Sequence, residues 1–354
     1  MDKNNIGYAV LGLGVGMAHV RAAANLQGGR LVAVCDLKED RLAKAREVKP
    51  DVLCYTSFSE MLKNPDIDAV SICTPSGMHA FHAIMALKAG KHIVIEKPID
   101  VDLEAAKEIE KTAEMMGLKV GCVFQNRRNA VMFPMKEAID SGRIGKVIGG
   151  FFRVNWFRND DYFAGTPWRG TWKWDGGGSL MNQGVHTVDL MQWVMGGDVE
   201  SVTSTIRLFN HAIETEDFTT SIVKFKSGAV ATLVTTTCAY PGLGTDIQVT
   251  GTKGSIHVDA SKLTLWKIGD QDEEAMNKEE EEMLAKYAGG AAASADPKAA
   301  KGQGYHVQDL VDAIREDRPV YLGPKDAVTA LKIVLAVYKS AKEGREVFIS
   351  EFDD

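Results

Sequence analysis

The first third of the chain alternates short β-rich apolar runs with helical stretches, and this rhythm restricts the fold more than any other feature of the 354 residues. Strand patterns at 8–11, 31–35, 67–73, 92–95 and 119–124 are separated by helical patterns over 17–26, after Asp40, over 79–88 and over 103–116. A strand that is apolar along its whole length needs cover on both faces. An α/β fold is therefore expected, with about six strands in a doubly wound parallel sheet of the Rossmann type.

From Lys146 the rhythm changes to longer β-rich stretches at 146–157, 199–209, 219–225, 229–237, 246–250, 255–258 and 263–268. Lys226-Ser227-Gly228 and Thr252-Lys253-Gly254 are hairpin turn signals, so a second, α+β domain with a large, mostly antiparallel open sheet is predicted. One long helix over 179–195 interrupts these strands. Residues 270–303, acidic at Glu279–Glu282 and then rich in Ala and Gly, read as a solvated excursion with a short helix. Helices over 306–315 and 325–342 complete the chain. A length of 354 residues exceeds one ordinary core, which agrees with two domains.

Composition removes several classes of function. With 41 Lys and Arg against 48 Asp and Glu the net charge is −7, which argues against a nucleic-acid partner. No window approaches the 18 or so consecutive apolar residues of a membrane span. The opening residues run almost at once into a strand pattern without the apolar core of a secretory signal, so a cytoplasmic location is expected. The five cysteines are scattered with no CxxC pair and read as small buried hydrophobes. No His, Asp or Cys cluster has ligand spacing, and no metal is expected.

Gly12-Leu13-Gly14-Val15-Gly16-Met17 follows the first strand and opens a helix, the arrangement in which backbone N–H groups approach a dinucleotide's pyrophosphate. The usual spacing puts the third glycine where this chain has Met17. Asp36 ends the second strand, 24 residues after Gly12, where a carboxylate accepts hydrogen bonds from ribose hydroxyls and repels a 2′-phosphate. NAD is therefore expected as cofactor in preference to NADP.

The helix over 179–195 is mostly apolar, yet Asn182, His186 and Asp189 fall at i, i+4 and i+7. Buried polar groups left unpaired cost about 1 to 3 kcal/mol each, so this stripe must face water, a partner network or a ligand.

Thr74-Pro75-Ser76 through His79, followed by Ala89-Gly90-Lys91-His92-Ile93-Val94-Ile95-Glu96-Lys97-Pro98, closely resembles the signature of the glucose-fructose oxidoreductase, inositol dehydrogenase and rhizopine-catabolism family (Gfo/Idh/MocA). The likeness continues in Gly176-Gly177-Gly178-Ser179 through Asp189, in Val249 through Gly254 and in Ala313 through Pro319. It implies an NAD-binding domain over 1–125 and a substrate-binding and oligomerisation domain over 126–354. It also implies hydride transfer at a sugar or cyclitol carbinol, a homodimer or homotetramer formed through the second domain's sheet, and a cis bond between Lys97 and Pro98. By the same resemblance Thr74, Pro75, His79, Glu96, Lys97, Trp168 and Arg169 join the glycine turn in holding the cofactor, and His186, Asn182 and Lys97 carry the chemistry.

In the inositol dehydrogenase branch the first position of the stripe is Asp, so Asn182 departs from it. Together with Phe124-Gln125-Asn126-Arg127 and Thr166-Pro167-Trp168-Arg169-Gly170-Thr171-Trp172, the chain looks more like the branch holding the UDP-N-acetylglucosaminuronate 3-dehydrogenases. Asn126 and Arg127 are then expected at the substrate with Asn182 and His186. Arg127, Arg128, Arg153 and Arg158 flank the strand leaving the first domain and are suited to bind phosphates or a carboxylate. Oxidising a secondary alcohol needs a base near neutral pH, which suits His186, while Lys97 would share that role or steady the alkoxide. Three other outcomes stay open: a free inositol or polyol dehydrogenase, a glycosidase that recycles its NAD in place, and a non-catalytic dinucleotide-binding sensor.

Overall fold

Every residue of β1 (Ile6–Leu11) is buried, as an apolar strand at the centre of a covered sheet must be. It is followed by α1 (Met17–Ala23), β2 (Gly29–Cys35), α2 (Glu39–Val48), β3 (Leu53–Tyr55), α3 (Phe58–Leu62), β4 (Ala69–Ile72), α4 (His79–Lys88), β5 (His92–Ile95), α5 (Leu103–Met116) and β6 (Val120–Cys122). The strands lie in the order β3-β2-β1-β4-β5-β6, all parallel. The strand order reverses between β1 and β4, the switch point where a crevice opens at the strands' carboxyl ends. Three-residue β3, at the sheet edge, carries too short an apolar run to be located by pattern. The computed structural model describes residues 5–196, 198–269, 272–287 and 302–353.

Beyond Gln125 come α6 (Met132–Asp140), β7 (Val147–Asn155), α7 (Asp160–Ala164), α8 (Val185–Val194), β8 (Val199–Arg207), β9 (Phe218–Phe225), β10 (Val230–Thr236), β11 (Gly244–Gly251), β12 (Gly254–Asp259), β13 (Lys262–Ile268), α9 (Glu273–Tyr287), α10 (Gln303–Glu316), α11 (Pro324–Glu343) and β14 (Val347–Phe348). Their eight strands form one sheet in the order β13-β12-β11-β7-β10-β9-β8-β14. All neighbours are antiparallel except β7 and β10, which run parallel. Alternate residues of β9 are buried, the period-2 pattern of a sheet with one packed face.

The chain divides into two units, Met1–Gln125 with Lys298–Leu331, and Asn126–Pro297 with Lys332–Asp354. This differs from an uninterrupted second domain over 126–354. α10 returns to the first unit, where Val307, Leu310, Val311 and Ile314 share a buried cluster with Ile6, Val10, Val20 and Val34. Apolar spacing tells that α10 buries one face, but not which sheet covers it.

Two other expectations are corrected. The segment over 179–195 is not one α-helix: Ser179–Gly184 is wound as a π-helix, and α8 begins only at Val185. Within the acidic stretch, α9 is four turns long and bound to the sheet rather than merely solvated. Glu279 receives both a bidentate contact from Arg143, at 2.7 and 3.0 Å, and the Trp266 indole N–H at 3.0 Å, while Lys267 pairs with Glu280 at 2.7 Å. Residues 288–301 of that stretch lie outside the described residues. Among the described residues, no helix is long and apolar enough to cross a membrane.

Candidate active site

At the carboxyl end of β1, Gly12 takes up φ +82° and donates its N–H to Cys35 O at 2.8 Å. A Cβ on Gly16 would fall 2.0 Å from Gly12 O, so Gly16 does the close packing that the usual spacing would give to position 17, now Met17. Gly14 differs: its nearest neighbour would be Arg41 Nη1 at 3.8 Å, leaving an open approach to exposed backbone at Gly14 and Val15. This open cradle fits a dinucleotide's diphosphate. Gly16→Ala is expected to cost about 1 to 3 kcal/mol of stability through overpacking. Gly14→Ala should leave the melting midpoint unchanged and weaken NADH binding, which thermal melts beside NADH fluorescence titrations would check.

Asp36 is buried and ties this turn to the end of β2, accepting from Leu13 N at 2.7 Å and Lys38 N at 2.9 Å. Arg41 Nη1 lies 3.2 Å from its Oδ2. A carboxylate offers about four acceptor positions, so with three taken there is room on Oδ1 for one ribose hydroxyl.

The loops after β4 and β5 are locked together by His79, whose ring nitrogens lie 2.8 Å from Thr74 O and 2.7 Å from Pro98 O. The Lys97–Pro98 bond is cis. Glu96 is turned inward, 3.0 Å from His19 Nε2, and accepts the Lys97 N–H at 3.2 Å. His19 Nδ1 reaches Ser71 Oγ at 2.8 Å, which meets the Tyr8 hydroxyl at 2.7 Å. His79 and Glu96, expected to touch the cofactor, are thus bound to the chain itself and hold the loop that carries Lys97. His19, Ser71 and Tyr8 were missed by sequence reasoning; the one available signal was a polar residue inside an otherwise apolar run.

In the second unit the segment before α8 is built around Glu216. Its carboxylate accepts from Gly178 N at 2.9 Å, Leu180 N at 2.8 Å and the Tyr338 hydroxyl at 3.2 Å. The glycine run follows from this closeness: a Cβ on Gly177 would lie 1.9 Å from the Tyr338 hydroxyl, and one on Gly178 1.9 Å from Glu216 O. These bonds anchor the first turn of the π-wound segment Ser179–Gly184.

Burial pushes the Glu216 carboxyl up to about 7, against the pull of the Leu180 and Gly178 N–H groups. Since the folded value lies above the unfolded one, the folded chain keeps a proton that the unfolded chain releases. The associated stability is full below the ordinary glutamate value and is lost as pH rises through about 7. Urea midpoints measured at about pH 5 and about pH 8 should therefore fall further for the parent chain than for Glu216→Gln; equal falls would refute the assignment.

Asn182 donates to Asp175 through Nδ2, while its Oδ1 accepts from Gln183 Nε2 at 2.6 Å and the Tyr162 hydroxyl at 3.3 Å. His186, one turn on, is 7% exposed. Asp189 forms a buried bidentate pair with Arg127, at 2.8 and 2.6 Å, and the Arg127 guanidinium lies 5.4 Å from the Trp193 ring. The expected stripe is therefore divided: Asp189 serves Arg127, and Arg127, expected at the substrate, is committed to α8. Asn126 sits half-buried in the 3-10 turn Gln125–Arg128. Trp168 and Arg169 lie in the loop after α7, with Arg169 against the Tyr162 ring at 4.3 Å.

His211, Asp217 and Cys238 come together with ligand atoms within 4.8 Å of one another, a grouping that sequence spacing did not disclose. The Asp217 carboxylate there accepts from the backbone N–H groups of Phe209, Asn210 and His211, and burial pushes the Cys238 thiol up to about 11. Both features oppose cation binding.

Comparison with known proteins agrees with this architecture. Residues 6–124 match the model of an oxidoreductase family with an NAD-binding Rossmann fold, and residues 134–257 match the Gfo/Idh/MocA C-terminal domain. The chain belongs to the Gfo/Idh/MocA oxidoreductase family. It is similar to the WlbA dehydrogenase from Chromobacterium violaceum, solved in complex with NADH and UDP-GlcNAcA, with 29% identity, a TM-score of 0.86, and 98% of this chain and 97% of that one covered. Among curated relatives, myo-inositol 2-dehydrogenase from Thermotoga maritima is 24% identical over 97% of this chain and 98% of its own length. Inositol 2-dehydrogenase from Rhizobium meliloti is 26% identical over 97% of this chain and 99% of its own.

Proposed function

We propose that this family member is an NAD-dependent dehydrogenase that oxidises a secondary hydroxyl of a sugar or sugar derivative, with UDP-linked hexuronates as the favoured class. The observation that carries this reading is His186, a buried imidazole in the first turn of α8 and four residues after Asn182, in a chain alike over 98% of its length to an enzyme crystallised with NADH and UDP-GlcNAcA. Gly12, Gly14, Val15, Gly16 and Met17 would hold the cofactor's diphosphate and Asp36 its adenosine ribose, with Thr74, Pro75, Lys97 and Trp168 completing the site. Bound NAD supplies the hydride acceptor. His186 takes the hydroxyl proton, Asn182 orients the hydroxyl, and the Lys97 ammonium steadies the developing alkoxide. Glu96, His79, Arg127 and Asp189 act as positioning residues.

A second reading, a free inositol or polyol dehydrogenase, is favoured by the two full-length inositol dehydrogenase relatives. The deciding experiment is NADH formation by the purified protein given NAD and a panel of free inositols, free aldoses, uronates and UDP-hexuronates. Turnover on the UDP-hexuronates supports the first reading, and turnover confined to free cyclitols replaces it with the second. Bound NADH with no turnover on any of them would discard both, in favour of a recycled cofactor or a sensor.

Copies of the chain are proposed to associate through the outward face of the eight-stranded sheet as a homodimer or homotetramer. Phe151 and Ile222, each 48% exposed, stand in one row either side of Thr232 across β7, β10 and β9. Exposed apolar side chains on a sheet face support the reading of that face as an interaction surface. Phe151→Asp should shift the light-scattering mass to that of a monomer, and an unchanged mass would remove this face from the interface.

A further inference from the structure

We propose that Arg158 and Arg169, which both border the ring of Tyr162, form a binding site for a carboxylate carried by the substrate's sugar ring; this deepens the dehydrogenase reading and rests on it. The Arg158 guanidinium carbon lies 5.0 Å from the Tyr162 ring centre and 5.0 Å from that of Trp156, and the Arg169 carbon lies 4.3 Å from Tyr162 and 5.4 Å from Trp168.

Neighbouring arginines of this unit are neutralised by acids: Arg127 by Asp189, Arg143 by Glu279 and Arg153 by Asp246. Arg158 and Arg169 make no ion pair among the described residues, and the Nε of each is buried with no acceptor. Arg158 spends only Nη2, on Gln183 Oε1 at 2.9 Å; Arg169 spends only Nη1, on Tyr162 O at 3.4 Å and Thr166 Oγ1 at 3.2 Å. A guanidinium carries five N–H donors in a planar fork, so most of this capacity is unspent. The acids of the adjoining α7 do not use it. Asp160 faces His211 Nδ1 at 3.5 Å, and Asp161 faces Asn159 Nδ2 at 3.5 Å. Two uncompensated cations among aromatic rings form a site that an oxyanion would complete with charge-assisted hydrogen bonds.

The position of the pair selects the kind of oxyanion. The Tyr162 hydroxyl donates to Asn182 Oδ1 at 3.3 Å, and Gln183 Nε2 donates to both, at 2.7 and 2.6 Å. Arg158 holds the other end of the same Gln183 amide. Arg158 is therefore one amide away from the residue proposed to orient the reacting hydroxyl, and Arg169 stands over the ring of Tyr162, whose hydroxyl meets the same residue. That distance suits an acid on the sugar ring itself better than a diphosphate at the far end of a nucleotide.

The test is equilibrium binding of UDP-glucuronate and UDP-glucose to the NADH-loaded protein, read by calorimetry without any need for turnover. The parent chain is expected to bind UDP-glucuronate roughly tenfold or more tightly than UDP-glucose. Arg158→Gln and Arg169→Gln should each erase that preference, weakening UDP-glucuronate by about tenfold to a hundredfold while UDP-glucose affinity holds. Retained NADH binding shows that a variant is folded. If either glutamine variant loses it, Arg158→Lys and Arg169→Lys keep the charge and should keep part of the preference. Equal weakening of both UDP-sugars would assign the pair to the diphosphate and overturn the proposal. So would a parent chain that shows no preference or binds neither sugar. Preference without NADH formation from NAD and either sugar would leave the carboxylate site standing and discard the oxidation of UDP-hexuronates.

Discussion

His186→Ala is expected to lower turnover on the panel substrate by about a hundredfold or more, and Lys97→Ala by a comparable factor, with NADH binding retained in both. A positioned general base is worth about a hundredfold to ten-thousandfold, because it removes the hydroxyl proton as the carbon gives up its hydride. The imidazole is the one group on α8 with a suitable intrinsic range, and it is buried. NADH affinity is expected to survive because the groups proposed to hold the diphosphate and ribose, at Gly12–Met17 and Asp36, are untouched. The two variants should separate by pH. With His186 removed, the acidic limb of kcat/KM should flatten; with Lys97 removed, that limb should persist at a lower plateau. Near-normal turnover in either variant would sink the corresponding role.

Asp189→Ala is expected to destabilise the second unit by about 3 to 5 kcal/mol, the cost of leaving one member of a buried ion pair without its partner. Arg127 and Asp189 are both buried and share two hydrogen bonds of 2.8 and 2.6 Å, so water cannot take over the guanidinium when the carboxylate is gone. Substituting both partners with apolar residues, Arg127→Met with Asp189→Leu, should recover most of the loss, because no buried charge then remains. Urea unfolding of the three proteins measures this directly. A loss under about 1 kcal/mol for Asp189→Ala would mean that the pair is solvated and interacts as a surface pair does. Since Asp189 lies on α8 three residues after His186, the same variant should also lower turnover even where it remains folded.

The nature of the two sheets was decided by local pattern. Strands such as β1, buried along their whole length and almost wholly apolar, can only be central, and the hairpin turn signals at 226–228 and 252–254 pair β9 with β10 and β11 with β12 as antiparallel neighbours. Gly12, Gly14 and Gly16 after β1, with Asp36 after β2, were equally legible, since a ligand turn of this kind is encoded within a few residues of a strand end. The resemblance of 74–98 and 176–189 to one family's motifs then supplied the roles proposed for Lys97, Asn182 and His186.

Tertiary structure alone decided what those polar residues touch. His79 meets Pro98 O, Glu96 meets His19, Asp189 meets Arg127 and Glu216 meets Gly178, across separations from 19 to 77 residues. Periodicity records which face of an element is apolar but not which distant group satisfies a buried polar atom, so these pairings have no local signature. The same reason hid the return of α10 to the first unit and the anchoring of Ser179–Gly184 on the buried Glu216, a residue 36 positions away from Leu180 in the chain.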